Sequence, residues 1–226
     1  LESCSIEFME KLIHLKIKFN FNVIFDEVFC GFFKSKKMFY FENFKNIVPE
    51  IICFSKVFGG GKSSISAVVA NERVYKKAYG NLSDAFLHTT TFNGFAEESV
   101  TALETLNIMS EISFKENVEK LSNSLSKKLN DLKNKHPDKI ELIKGNGILN
   151  GIIFKSYMNS IGNLLEKFPV EFIKNKSFFL KKLTATAISS ELYAGHKILA
   201  QISDSSNSNH LSVSPSLIAN EENIEY

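Results

Sequence analysis

Apolar residues at Phe8, Leu12, Ile13, Leu15 and Ile17 recur at the spacing of one helix face and predict a helix over residues 7–20. The period then changes. Phe21-Asn22-Val23-Ile24-Phe25 is a short β-rich run that closes on Asp26-Glu27, the pattern of a buried parallel strand with acids at its carboxyl end. Ile47–Phe54 is a second such run, ending in Ser55-Lys56 and leading to Gly59-Gly60-Gly61. Ile65–Ala70 is a third, followed by a helix from Asn71 to Ala78. Strands joined by short helical or loop crossovers predict an α/β layer with a mostly parallel sheet.

Farther along, a helix is expected over Ala96–Ile108, and another begins at Ser113, where Ser113 and Glu116 make a capping-box pattern. Val118, Leu121, Leu125, Leu129 and Leu132 hold one apolar stripe until His136-Pro137 stops it. Ile140–Lys144 and Ile148–Phe154 read as strands joined across Gly145-Asn146-Gly147. A helix around Ser190–Ala200, a strand around His210–Ser214 and the opening turn of a helix at Asn220–Ile224 complete the series. The expected division is a large α/β domain over residues 1–111 and a smaller α+β domain over 112–226. Both ends read as cut off, since the chain starts at Leu1 and stops inside a helical pattern.

Composition narrows the classes. A chain of 226 residues with 44% hydrophobic and 23% charged content can bury a real core. Lys+Arg 27 against Asp+Glu 25 leaves a net charge of +2, which gives no electrostatic case for nucleic acid. No apolar run reaches the 18 or so residues of a membrane span, and Leu1-Glu2-Ser3-Cys4 lacks the start of a signal peptide. A soluble, cytoplasmic chain is expected. Cys4, Cys30 and Cys53 are odd in number and lack metal-type spacing, so neither a disulfide scaffold nor a metal site is expected. Cys30 and Cys53 read as small core residues.

Singly, the chemical features are ambiguous. Asp26-Glu27 fits a metal or nucleotide site, a partner for a cationic ring, or a solvated strand edge. Gly60-Gly61-Lys62-Ser63-Ser64 looks like the end of a phosphate loop. That motif requires a glycine where Lys56 stands, and its acidic strand normally follows the loop instead of preceding it.

In combination they fit one family. Asp26-Glu27-Val28 closes one strand, Ser55-Lys56 closes the next and runs into three glycines, and His88-Thr89-Thr90-Thr91-Phe92-Asn93-Gly94 comes before a helix. With Val48-Pro49-Glu50-Ile51-Ile52, Lys144-Gly145-Asn146-Gly147 and Leu192-Tyr193-Ala194-Gly195-His196, this order resembles the C-terminal half of the class III, pyridoxal-phosphate-dependent aminotransferases of fold type I. The resemblance implies a part of their cofactor-binding large domain followed by the small domain. It also implies transfer of an amino group from a small-molecule amine or amino-acid donor to a carbonyl acceptor. On it, Lys56 carries pyridoxal 5'-phosphate as a Schiff base and moves protons at the substrate. Asp26 keeps the ring nitrogen protonated, because a carboxylate beside it favours the charged form. Val28 packs on the ring, and Thr91 reaches the phosphate in the other subunit of a homodimer. His88 reads as structural, and Lys62 as a solvated loop lysine.

The chain departs from the family in places. Phe29-Cys30-Gly31-Phe32-Phe33-Lys34 replaces the usual Gln-Thr-Gly and Gly-Arg, and Phe95-Ala96 replaces Asn-Pro. Ser212 stands where many members place a carboxylate-clamping arginine, and Arg73 is the one arginine in the sequence. Unless a clamp lies upstream, that points away from a standard amino-acid donor and toward an amine, a thioester-tethered carbonyl or some other substrate. The family's phosphate cradle would precede Leu1, so an inactive truncated aminotransferase is the alternative.

Overall fold

The computed structural model of the chain describes residues 3–155, 176–203 and 209–225. It divides into two compact units, Cys4–Val118 and Glu119–Tyr226 with Leu1–Ser3, so the boundary falls inside a helix.

In the first unit, α1 (Ile6–Phe19) is capped by Ser5, whose Oγ accepts from the Phe8 N–H at 3.1 Å. Lys16 on α1 pairs with Glu50 at 2.7 Å, and the other Glu50 oxygen accepts from the Val23 N–H at 2.8 Å. One carboxylate thus joins the helix to the starts of two strands. Strand β1 (Ile24–Asp26) runs parallel to β2 (Ile51–Phe54), with Asp26 opposite Cys53. The expectation of parallel pairing holds for these two. Strand β3 (Ala67–Ala70) instead pairs antiparallel with β2. The link from Ser55 to Ser66 is used up by a 3-10 turn at Lys56–Gly59 and a glycine bend, so no crossover helix carries the chain back to the other end of the sheet.

Apolar packing beneath this sheet centres on Phe32, which is 1% exposed. Its ring stacks on Phe58 at 5.5 Å and meets Phe39 and Phe54 edge-on at 5.6 and 5.4 Å. Such ring pairs contribute about 0.5–1.5 kcal/mol each beyond their burial. Phe32 and Phe33 hold φ of 56° and 65°, a region costly for bulky residues, so the aromatic packing must outweigh that strain.

Helix α2 (Glu72–Tyr79) is capped by Asn71. Helix α3 (Ala96–Ser110) has Phe95 at its cap position without a capping side chain. Helix α4 (Ile112–Lys135) starts one residue before the expected box, so Ser113 lies in the first turn and donates to Glu111 at 3.2 Å instead of capping. Its stripe is buried at Val118, Leu121, Leu125 and Leu129, and Leu132 is 40% exposed.

In the second unit, β4 (Ile140–Asn146) and β5 (Leu149–Phe154) form the expected hairpin. Gly145 and Gly147 take φ of 135° and 63°, and a Cβ on Gly145 would lie 2.0 Å from the Leu149 carbonyl oxygen. Helix α5 (Lys176–His196) begins well before the expected Ser190 and packs on β5 and on β6 (Gln201–Ile202), a strand too short to be read from the sequence. Lys181 on α5 pairs with Glu141 on β4. Strand β7 (Leu211–Val213) completes an antiparallel sheet in the order β4-β5-β7-β6. Helix α6 (Glu221–Glu225) opens with Asn220 and Asn223 exchanging side-chain caps at 3.0 Å.

Candidate active site

Parallel strands β1 and β2 end side by side, and two of the expected site residues are placed by that fact alone. Asp26 is the last residue of β1. Its register partner Cys53 lies three residues before Lys56, which opens the turn after β2. In open α/β sheets, ligands bind beyond the carboxyl ends of the strands.

Lys56 is exposed and sits at φ 52°, a left-handed conformation that a lysine adopts only when its surroundings dictate it. Those surroundings are tight. Gly59 is buried, and Gly60, at φ 62°, lies against α3 so closely that a Cβ there would meet the Thr105 hydroxyl at 2.5 Å. On the strand side, Ser55 Oγ donates to the Ile65 carbonyl at 2.7 Å and closes the loop. The backbone of Lys56 is fixed, and its side chain is exposed and without an ion pair among the described residues.

Asp26 departs from the expected buried carboxylate: it is exposed, and so is Ile24 at 59%. Strand alternation explains this, because Val23 and Phe25 turn inward while Ile24 and Asp26 turn out on the edge strand of this sheet. Asp26 Oδ1 accepts from the Val28 N–H at 3.0 Å, an Asx-type turn that orients the carboxylate. Val28 is half-buried.

The buried acid is its neighbour. Glu27 has no exposed surface; one oxygen accepts from the Phe41 N–H at 3.1 Å and the other from the Cys30 thiol at 3.0 Å. Burial, with the Glu27 hydrogen bond and charge behind it, pushes the Cys30 thiol up to about 12. Cys30 is therefore a protonated structural donor, half-buried, not a reactive thiol. Glu27 anchors the loop that runs from Val28 to Phe41 and so presents Asp26 at its root.

Two further residues of this loop face the lysine, and sequence reasoning missed both. The Phe29 ring carries the Lys56 ammonium at 5.1 Å from its centroid and the Lys34 ammonium at the same distance. Each contact is worth about 0.5–1 kcal/mol at an exposed site. Burial, and behind it the charge of Lys56, lowers the Lys34 amine below the usual lysine value. The loop thus brings together Phe29, Lys34 and Lys56, with Asp26 and Val28 at its root.

Thr91 is not part of that group. It is exposed in a series of turns, with Asn93 N–H bonded to Thr90 O and Phe95 N–H to Phe92 O, and α3 starts only at Ala96. The turns and Gly94 at φ 71° keep it out of a helix N-terminus. His88 pairs its Nδ1 with the Tyr79 hydroxyl at 3.1 Å. Among the described residues no cluster of three potential metal ligands occurs, and no helix is long and apolar enough to cross a membrane.

The class-III aminotransferase family model matches residues 3–183, and the chain belongs to that family. Its fold is similar to the structure of a transaminase from the marine bacterium Virgibacillus, with TM-score 0.79 and 18% identity over 98% of this chain and 46% of that one. It is likewise similar to the omega transaminase from Pseudomonas jessenii in complex with PMP, with TM-score 0.73 and 24% identity over 96% and 44% of the two chains. A Bacillus anthracis aminotransferase matches with TM-score 0.75 and 22% identity over 96% and 45%. The chain spans less than half the length of each of these structures. The family implies a pyridoxal phosphate cofactor.

Proposed function

We propose that this chain contributes the lysine-bearing half of a pyridoxal-phosphate-dependent transaminase, moving an amino group from an amine or amino-acid donor to a carbonyl acceptor. One observation carries the reading: the Asp26 carboxylate and the Lys56 amine lie at the carboxyl ends of adjacent parallel strands. The donor set fits the cofactor. An exposed primary amine suits an aldehyde, Asp26 Oδ2 is left over from the Asx-type turn for a protonated ring nitrogen, and Val28 offers a half-buried apolar surface. When bound, the group supplies an aldehyde carbon and an electron-withdrawing ring. Asp26 would hold the proton on the ring nitrogen, and the Lys56 Nζ would carry the proton to and from the substrate carbon that bears nitrogen.

In this reading residues 1–111 form part of the cofactor-binding domain and 112–226 the small domain. Thr91 serves a second copy of the chain. Support for that partner is the apolar surface beside it: Leu82, Phe86, Leu87 and Phe92 are 93%, 82%, 71% and 76% exposed, more than a solvated loop normally shows. Ser212, in β7, carries no charge to clamp a carboxylate, and Arg73 is engaged with Asn22 at 2.7 Å.

The test is amino transfer to pyruvate by the cofactor-supplemented protein, with a simple primary amine or with glutamate as donor. Lys56-dependent transfer from the amine at a kcat/KM at least equal to that from glutamate is expected. No Lys56-dependent transfer from either donor would favour the inactive-fragment alternative. A strong preference for glutamate would overturn the substrate class alone.

A further inference from the structure

The glycine bend after Lys56 has a chemistry of its own. A cleft of about 510 Å³ opens beside the lysine, lined by Lys56 and Lys62 and by the serines 55, 63, 64 and 66. No acidic residue lines it. Neither lysine is ion-paired among the described residues, whereas Lys16, Lys76 and Lys181 are. The bend is shaped by the main chain: the N–H groups of Lys62 and Ser63 both donate to the Gly59 carbonyl at 3.0 Å, and the Ser55 hydroxyl is committed to Ile65. Gly61, at φ 75°, has open space around it, so the wall of the cleft stays uncovered. What remains uncommitted is the Lys62 amine and the hydroxyls of Ser63, Ser64 and Ser66, beside the Lys56 ammonium over the Phe29 ring, a set matched to an anion with several acceptor oxygens.

We infer that this cleft is an anion subsite, in which Lys62 with Ser63, Ser64 and Ser66 holds a phosphate or carboxylate on the part of the substrate remote from the reacting carbon, beside Lys56. The inference rests on the proposed function for its link to catalysis, but the subsite stands on the cleft itself. It replaces what the chain lacks. With one arginine, engaged elsewhere, a lysine-and-serine pocket supplies the charge by which an anionic amine or carbonyl compound is selected. The same oxyanion chemistry would suit the cofactor's own phosphate, and the test separates the two.

The experiment is isothermal titration of the full chain with inorganic phosphate and with glutarate. It compares wild type, Lys62→Gln and Lys77→Gln, the last a control in α2 outside the cleft. Saturable binding weakened at least tenfold by Lys62→Gln and unchanged by Lys77→Gln is expected. No saturable binding, or equal weakening by both variants, would overturn the subsite. A second arm traps pyridoxal phosphate and phosphate-free pyridoxal on Lys56 with borohydride in the same proteins. Equal trapping of both by wild type and Lys62→Gln assigns the subsite to substrate; loss confined to pyridoxal phosphate assigns it to the cofactor and overturns the substrate role. Lys56 trapping without anion binding sinks the subsite and leaves the transaminase reading intact. Anion binding without trapping does the reverse.

Discussion

Two loops of the first unit carry the expected site residues, and they are built in opposite ways. The segment from Asp26 to Phe41 is fastened from within: Glu27 is fully buried on Phe41 and Cys30, and Phe32 is locked among three rings. The segment from Phe86 to Phe95 is fastened by little beyond its own turns, and its large apolar side chains face solvent. A site residue at the root of the first loop is positioned by the chain itself. Thr91 on the second has no such frame, so in the proposed assembly its position comes from a second copy. In the proposed assembly, the difference separates the part of the site that one subunit frames alone from the part that a second copy would have to position.

The sharpest way to break the comparison is to unlock the first loop. Phe32→Ala should cost about 3–5 kcal/mol in urea denaturation, the usual range for a buried aromatic truncated to alanine. A loss under about 1 kcal/mol would mean the loop is not held by its rings. Next comes the thiol. Because Cys30 is raised to about 12, its contribution is complete below the unfolded thiol value near 8.5 and is lost as pH rises through its folded value. Stability measured from pH 8 to 11 should therefore fall in wild type and fall less in Cys30→Ala. Identical slopes would contradict a Cys30 thiol raised by burial and by Glu27. The smallest effect on folding belongs to the second loop. Phe92→Ser should stay within about 0.5 kcal/mol of wild type, as for other surface changes. It should also weaken self-association by roughly tenfold in sedimentation velocity, the size of loss seen when an interface aromatic is removed. Unchanged association would leave the apolar surface without its partner.

Much of this was legible in the sequence, because it follows from period and punctuation. The extent of α1, the three strands, the β4–β5 hairpin and the stop at His136-Pro137 need only local spacing. The buried side of α1 was misread: Met9 is its buried residue, while Phe8 and Ile17 are 56% and 77% exposed. What could not be read depends on contacts distant in sequence. The direction of β3 was hidden because residues 55–66 contain no periodic signal to show the lack of a crossover helix. The early start of α5 was hidden because Leu180, Leu183, Ala185 and Ile188 do not fall on a single stripe. For the site, Lys56 and Asp26 were expected through the resemblance, and the strand register sets Asp26 opposite Cys53, three residues before Lys56. That Glu27 is buried and Asp26 exposed was not readable, since adjacent acids at a strand end differ only in which face the pleat assigns them. Lys34 and Phe29 were missed because their meeting with Lys56 is made by the folded loop, with the two lysines 22 positions apart in the sequence.

Lys56 as the cofactor lysine is the central claim, and borohydride reduction after incubation with pyridoxal phosphate, followed by peptide mass mapping, tests it most directly. The structure sets a demanding comparison, because Lys34 faces the same ring and its amine is held lower by burial and by the charge of Lys56. A single pyridoxyl group on Lys56, absent in Lys56→Ala and not transferred to Lys34, is the expected result. Labelling that falls on Lys34, scatters over surface lysines, or is absent from the folded chain would contradict it.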